Sequence, residues 1–215
     1  MDKRTPFLNL PMVALLVACA SPIGLYPLVQ HAALEPSGSR SILGAEFLFL
    51  LPFMAALLSL FVSPVLLFFG RTRFFALRLL TLAVVSIAAE LIGSRLGESV
   101  RMNAFHDLAR RSEPLVKAIH SYEARSGQPP SDLNALVPEF FPTVPVTRMG
   151  AYPAYDYHVG SDAAQYDGNQ WALVVNAPKP GINWDSFMYY PLQNYPKRGF
   201  GGVLERVEGW AYVHE

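Results

Sequence analysis

This chain holds a single cysteine, no excess charge of either sign and no catalytic signature, and each absence removes a class of function. One cysteine, Cys19, allows no disulfide within the chain, so a domain facing an oxidising compartment must be held by its core alone. Seventeen basic residues balance seventeen acidic ones. No basic stripe is left to neutralise phosphates, so nucleic acid is not an expected partner. There is no GxSxG elbow, HExxH pair, P-loop or dinucleotide fingerprint. His106, His120, His158 and His214 are dispersed, and no Cys/His set has zinc-site spacing. The expectation is a protein without cofactor and not an enzyme.

Long apolar runs, by contrast, are plentiful. Three of them fill the first part of the chain: Leu10 to Gln30, Ile42 to Gly70 and Phe74 to Gly93. A bilayer core about 30 Å thick takes about 20 apolar residues of helix to cross, and backbone groups in lipid must be satisfied within the segment. Three transmembrane helices over residues 1–93 are therefore expected, followed by one domain over 94–215. From Ser94 onward 13 acidic residues face 11 basic ones, and no comparable apolar run recurs. That length suits one compact domain rather than two.

Flanking cations orient the spans. Lys3 and Arg4 precede the first, Arg71 and Arg73 lie between the second and third, and the first loop has only Arg40 beside Glu35. Positive charge stays on the cytoplasmic side. The N-terminus is thus expected inside a bacterial inner membrane and the C-terminal domain in the periplasm. The basic Arg95, Arg101, Arg110 and Arg111 just past the third span weigh the other way but are interleaved with Glu98 and Asp107.

Three polar features interrupt the spans. Leu16-Val17-Ala18-Cys19 resembles a lipoprotein lipobox, which would make Cys19 a lipidation site; the alternative is an ordinary buried cysteine, since the chain stays apolar through Val29. Glu46 and Glu90 sit at similar depth near the outer interface, where two carboxylates could share a proton or cation in a transport or sensing subunit. Otherwise they reach the headgroups or pair with Arg40 or Arg95. Gly93-Ser-Arg-Leu-Gly97 has the spacing for close helix contact.

The third helix is expected to continue beyond the membrane. Leu96, Val100, Ala104 and Leu108 recur every four residues, and Leu115, Ile119 and Tyr122 carry on to a stop at Ser126-Gly127. Pro114 predicts a kink, or a new helix capped by Ser112. Ser131 is read as the cap of a short helix ending at Leu136. Beyond Gly150 the period becomes two: Tyr155, Tyr157 and Val159 alternate, and Trp171 to Val175 follows an Asp167-Gly168-Asn169 hairpin turn. Phe187 to Tyr190 and Trp210 to Val213 complete an expected sheet of three or four antiparallel strands, giving an α+β fold.

Leu115-Val-Lys-Ala-Ile-His-Ser-Tyr122, then Gly127-Gln-Pro-Pro130, Leu133-Asn-Ala-Leu-Val-Pro138 and Phe141-Pro-Thr-Val-Pro145 together resemble the head domain of G-type pseudopilins of type II secretion and related pilin-like proteins. The likeness covers about residues 94–215. It implies a pilin-like domain, one long helix plus a small antiparallel sheet, with a structural or protein-interaction role. Two spans precede the pilin-like helix here, and Gly70 is followed by Arg-Thr-Arg-Phe-Phe with no Glu five residues on. The resemblance therefore concerns the head and not that family's peptidase processing. Asp156, Asp162, Asp167 and Asn169 lack the spacing of a calcium loop, so no metal is expected.

The outer domain is rich in large rings, among them Tyr152, Trp171, Trp184, Tyr190, Tyr195, Trp210 and Tyr212. Such rings fill a thin core, or they form a platform for protein or envelope glycan. Loops carry function on rigid scaffolds, which makes Trp184 and Asp185 and, further on, Lys197, Arg198 and Phe200 the candidate contact residues. The partners expected are the lipid bilayer and a membrane or periplasmic protein, with a glycan-binding module as the alternative.

Overall fold

A computed structural model describes residues 7–181, 183–196 and 202–214. Three helical stretches are long and apolar enough to cross a membrane: Leu10–Leu34, Arg40–Leu67 and Arg73–Ser126. The chain forms two compact units, one of residues up to His31 with Leu43–Val100, the other of Ala32–Ile42 with Arg101 onward.

In the first unit the opening stretch is not one helix. Helix α1 (Leu10–Ala20) is capped by the Asn9 side chain on the Met12 amide, and α2 (Pro22–Leu34) begins after Ser21. Proline at the first position of α2 needs no amide donor there. The second stretch is likewise assembled from a single-turn helix α3 (Arg40–Leu43), a 3-10 turn at Gly44–Glu46 and α4 (Phe47–Leu67). Large apolar side chains on these helices point outward: Leu10, Leu51 and Phe61 are each at least 75% exposed. So much exposed apolar surface on helices of this length is what crossing a membrane requires.

Helix α5 (Arg73–Ser126) runs 54 residues without a break, Pro114 included. No new helix starts at Pro114. The Ser112 hydroxyl bonds the Leu108 carbonyl and the Tyr155 hydroxyl instead of capping a start. The helix ends where expected, with Gly127 at φ 75 and its amide donating to the Glu123 carbonyl, the left-handed stop that favours glycine.

In the second unit the last half of α5 covers one face of a five-stranded antiparallel sheet of order β1-β2-β3-β5-β4. The strands are β1 (Asp156–Val159), β2 (Trp171–Asn176), β3 (Ser186–Tyr189), β4 (Val203–Val207) and β5 (Trp210–His214). Register aligns Val175, Phe187 and Tyr212, and beside them Leu173, Tyr189 and Trp210, on the helix side. Phe105 stacks on Phe187 at 4.7 Å and meets Tyr212 at 4.8 Å. The opposite face carries Ala172, Val174, Met188, Ala211 and Val213, with Tyr166 and Tyr195 packed over them from loops.

Three local expectations are corrected. Asp132, not Ser131, caps the turn at Leu133–Leu136, its carboxylate accepting from the Asn134 and Ala135 amides at 2.7 and 3.1 Å; an aspartate can bond both amides at once. Asp167 and Gly168 do adopt positive φ, but the β1–β2 connection is longer than a hairpin turn, holding a one-turn helix α6 (Ser161–Ala164) and closing through the Gly160 amide on the Gln170 carbonyl. Strand β4 was not expected, because Glu205-Arg206 breaks its apolar alternation, as an edge strand permits. The segment 32–42 joins this unit through Gly150 and Ala151, whose amides donate to the carbonyls of Glu35 and Ala33 at 3.0 and 2.9 Å. A Cβ at Gly150 would strike the Gly38 carbonyl, so the approach requires glycine.

Candidate functional site

The most polar cluster inside the sheet domain is built on Arg101, a fully buried arginine on α5. Its Nε donates to the Tyr212 hydroxyl at 3.1 Å, Nη1 donates to the Tyr152 hydroxyl at 2.9 Å, and Nη2 donates to the Ala177 carbonyl. The Tyr212 hydroxyl in turn donates a hydrogen bond to Asp185 Oδ2 at 2.6 Å, and that oxygen lies 3.9 Å from Arg101 Nη2. Tyr152 donates to the Pro178 carbonyl at 2.9 Å. Burial pushes both phenols above their usual range, so each stays protonated and serves as donor and acceptor at once. The guanidinium also lies over the rings of Phe105, Tyr152 and Tyr212. This network ties α5 to β5 and to the loop before β3.

The expected contact surface at Trp184 and Asp185 is therefore split. Asp185 is 1% exposed and belongs to the core, a correction with a plain cause: a buried arginine needs a counter-charge. Trp184 is 71% exposed. It borders a cavity of about 190 Å³ with Tyr166, Val174, Asn176, Met188 and Val213, on the sheet face turned away from α5. The Asn176 amide donates to Asp156 at this rim, and Ser186 adds a hydroxyl. An open indole beside a thioether and two small polar groups can seat an apolar side chain or stack on a ring while bonding its edge. Lys197, Arg198 and Phe200 lie outside the described residues.

Most other large rings fill the core. Trp171, Tyr190 and Tyr212 are fully buried, and Trp210 nearly so. Among the described residues no three His, Cys, Asp or Glu side chains gather in a way that could hold a metal ion.

In the first unit Glu90 accepts from the Tyr26 hydroxyl and Glu46 accepts from Gln30 Nε2 at 2.7 Å. Tyr26 and Gln30 are one helical turn apart, so a single face of α2 receives both carboxylates. Sequence reasoning had considered Arg40 and Arg95 and overlooked these two neutral donors. Gln30 is 5% exposed, and among the described residues its Oε1 has no hydrogen-bond partner. The glycine spacing is used directly here: Gly93 packs on the backbone of Pro22, and Gly97 on Tyr26 and Gln30. Cys19 lies half-buried near the end of α1.

No family model matches this sequence, and neither a curated protein nor a solved structure is significantly similar to it.

Proposed function

We propose that this is an integral protein of a bacterial inner membrane whose C-terminal, pseudopilin-like domain stands in the periplasm and docks a protein of the cell envelope. Three apolar helical stretches support the membrane part, and the excess of cations before the first span and between the second and third supports the orientation. A long helix laid on an antiparallel sheet is the arrangement expected of a pilin-like head. The observation that carries the docking role is Trp184, a large ring left open in a domain that buries Trp171 and Trp210. Tryptophan is the residue type most enriched at binding hot spots.

A photo-crosslinking residue in place of Trp184 in intact cells tests this reading. One discrete adduct with an envelope protein is expected, and none from the same residue at exposed Lys117. Equal or absent adducts at both positions count against docking. Trp184→Ala should change folding stability by no more than about 0.5 kcal/mol yet weaken the partner by about thirtyfold, roughly 2 kcal/mol.

A second reading, a glycan-binding module, draws on Asn176 and Ser186 beside the open indole. Saturable binding of peptidoglycan fragments by the full-length protein, lost in Trp184→Ala, would favour it.

A further inference from the structure

On a different side of the sheet domain α5 and the proline-rich connector enclose a groove of about 390 Å³. Its walls are stiff and largely apolar, contributed by Pro114, Phe141, Pro142, Pro145 and Tyr155. Two guanidiniums border it, those of Arg111 and Arg148, and no residue lining it is acidic.

These arginines differ from the others around them. Arg101, Arg110 and Arg125 each pair with a carboxylate. Arg111 instead donates one N–H to the Thr147 carbonyl at 3.2 Å. That bond steadies the fork, and among the described residues its other donors have no hydrogen-bond partner. Among the described residues Arg148 has no carboxylate partner.

The backbone holds Arg148 in place at a cost. Its φ is 58, a left-handed conformation that non-glycine residues rarely adopt. The flanking Thr147 and Met149 are each 1% exposed and locked by the Thr147 hydroxyl, which accepts from the Met149 amide at 3.1 Å and donates to the Tyr152 carbonyl. Glycine would fold more easily at this position. An exposed arginine kept in a strained turn, lining the same largely apolar groove as a second arginine, fits a recognition role better than a structural one.

We propose that this groove binds an acidic, extended peptide segment of a partner protein, with a carboxylate held between Arg111 and Arg148 and an apolar neighbour against the proline and aromatic walls. Charge complementarity identifies the occupant: guanidinium forks match carboxylates in a bidentate way. The volume lies near the lower end of ligand pockets, so it takes one or two side chains and not a helix. The inference stands apart from the docking role of Trp184, since the two cavities share no lining residue.

The test uses the full-length protein in phosphatidylcholine nanodiscs and two fluorescent hexapeptide pools. One contains Asp and Glu, and the other has Asn and Gln at the same positions. Fluorescence polarisation should show binding of the acidic pool alone, weakening as salt rises from about 50 to about 500 mM. Arg111→Gln and Arg148→Gly should each reduce affinity about tenfold. Arg148→Gly removes the left-handed strain, so a folding defect would not explain its loss, and Trp184→Ala should leave binding unchanged. Equal binding of both pools, or no effect of either arginine variant, would overturn the proposal. So would loss of binding in Trp184→Ala, or a preference for vesicles containing phosphatidylglycerol over the acidic peptides.

Discussion

Arg101→Leu is expected to destabilise the sheet domain by about 3 to 5 kcal/mol, the cost of breaking a buried ion pair from one side. The substitution leaves Asp185 buried without its counter-charge and removes the donors to Tyr152, Tyr212 and the Ala177 carbonyl. Denaturant titration of the full-length protein in detergent, followed by the fluorescence of buried Trp171 and Trp210, measures it. In a domain of this size the melting temperature should fall by more than about 10 °C. Arg101→Lys should rescue little, because a point charge cannot serve three acceptors in a fork. Arg101→Leu combined with Asp185→Leu should cost less than the two single changes together, since no unpaired charge remains. A loss below about 1 kcal/mol for Arg101→Leu would mean that the network is peripheral to the fold.

The second large effect is expected at Gly93, in the first unit. A Cβ there would collide with the carbonyl of Pro22, and backbone cannot yield as a flexible side chain can. Gly93→Ala should therefore cost about 2 to 3 kcal/mol from overpacking, despite the roughly 1 kcal/mol that alanine gains over glycine in a helix. Gly97 is the internal control. Its Cβ would meet the Tyr26 Cβ at 3.4 Å, close to ordinary contact, so Gly97→Ala should be neutral within about 0.5 kcal/mol. Size-exclusion chromatography after graded heating in detergent separates the two. Equal behaviour of the two variants would contradict the close packing of α5 on α2.

Much of this architecture was legible because it rests on long, repetitive signals. The apolar runs mark the helices long and apolar enough to cross a membrane, the Ser126-Gly127 stop ends α5, and the alternation of Tyr155, Tyr157 and Val159 with the apolar stretches at Trp171, Phe187 and Trp210 marks four of the strands. Elements set by one polar contact were not legible. Arg101 was counted as a cation flanking the membrane, and the helix stripe was read through Val100 and Ala104. In the structure Leu96 is exposed and Val100 and Ala104 are only half-buried, while Arg101 and Phe105 beside them are fully buried. A charged residue at a core position reverses the usual rule, and only its partners, distant in sequence, explain it. Asp185 was misassigned to the surface for the same reason.

The candidate sites divide along the same line. Trp184 stands out in the sequence by its place in a loop, and it is 71% exposed. Tyr26 and Gln30 were missed because neutral donors inside an apolar run look like filler. The groove at Arg111 and Arg148 was missed because its walls come from separate stretches of the chain, Arg111 to Leu115 and Phe141 to Tyr155, and because a left-handed arginine carries no mark in the sequence.

The central claim is that the sheet domain faces the periplasm, where it can meet an envelope partner. With Cys19 replaced by serine, a cysteine at exposed Leu192 becomes the only thiol in the chain. Labelling that thiol with a membrane-impermeant maleimide in intact spheroplasts measures the side directly. The account expects full labelling before lysis. Labelling only after lysis would place the domain in the cytoplasm and contradict it.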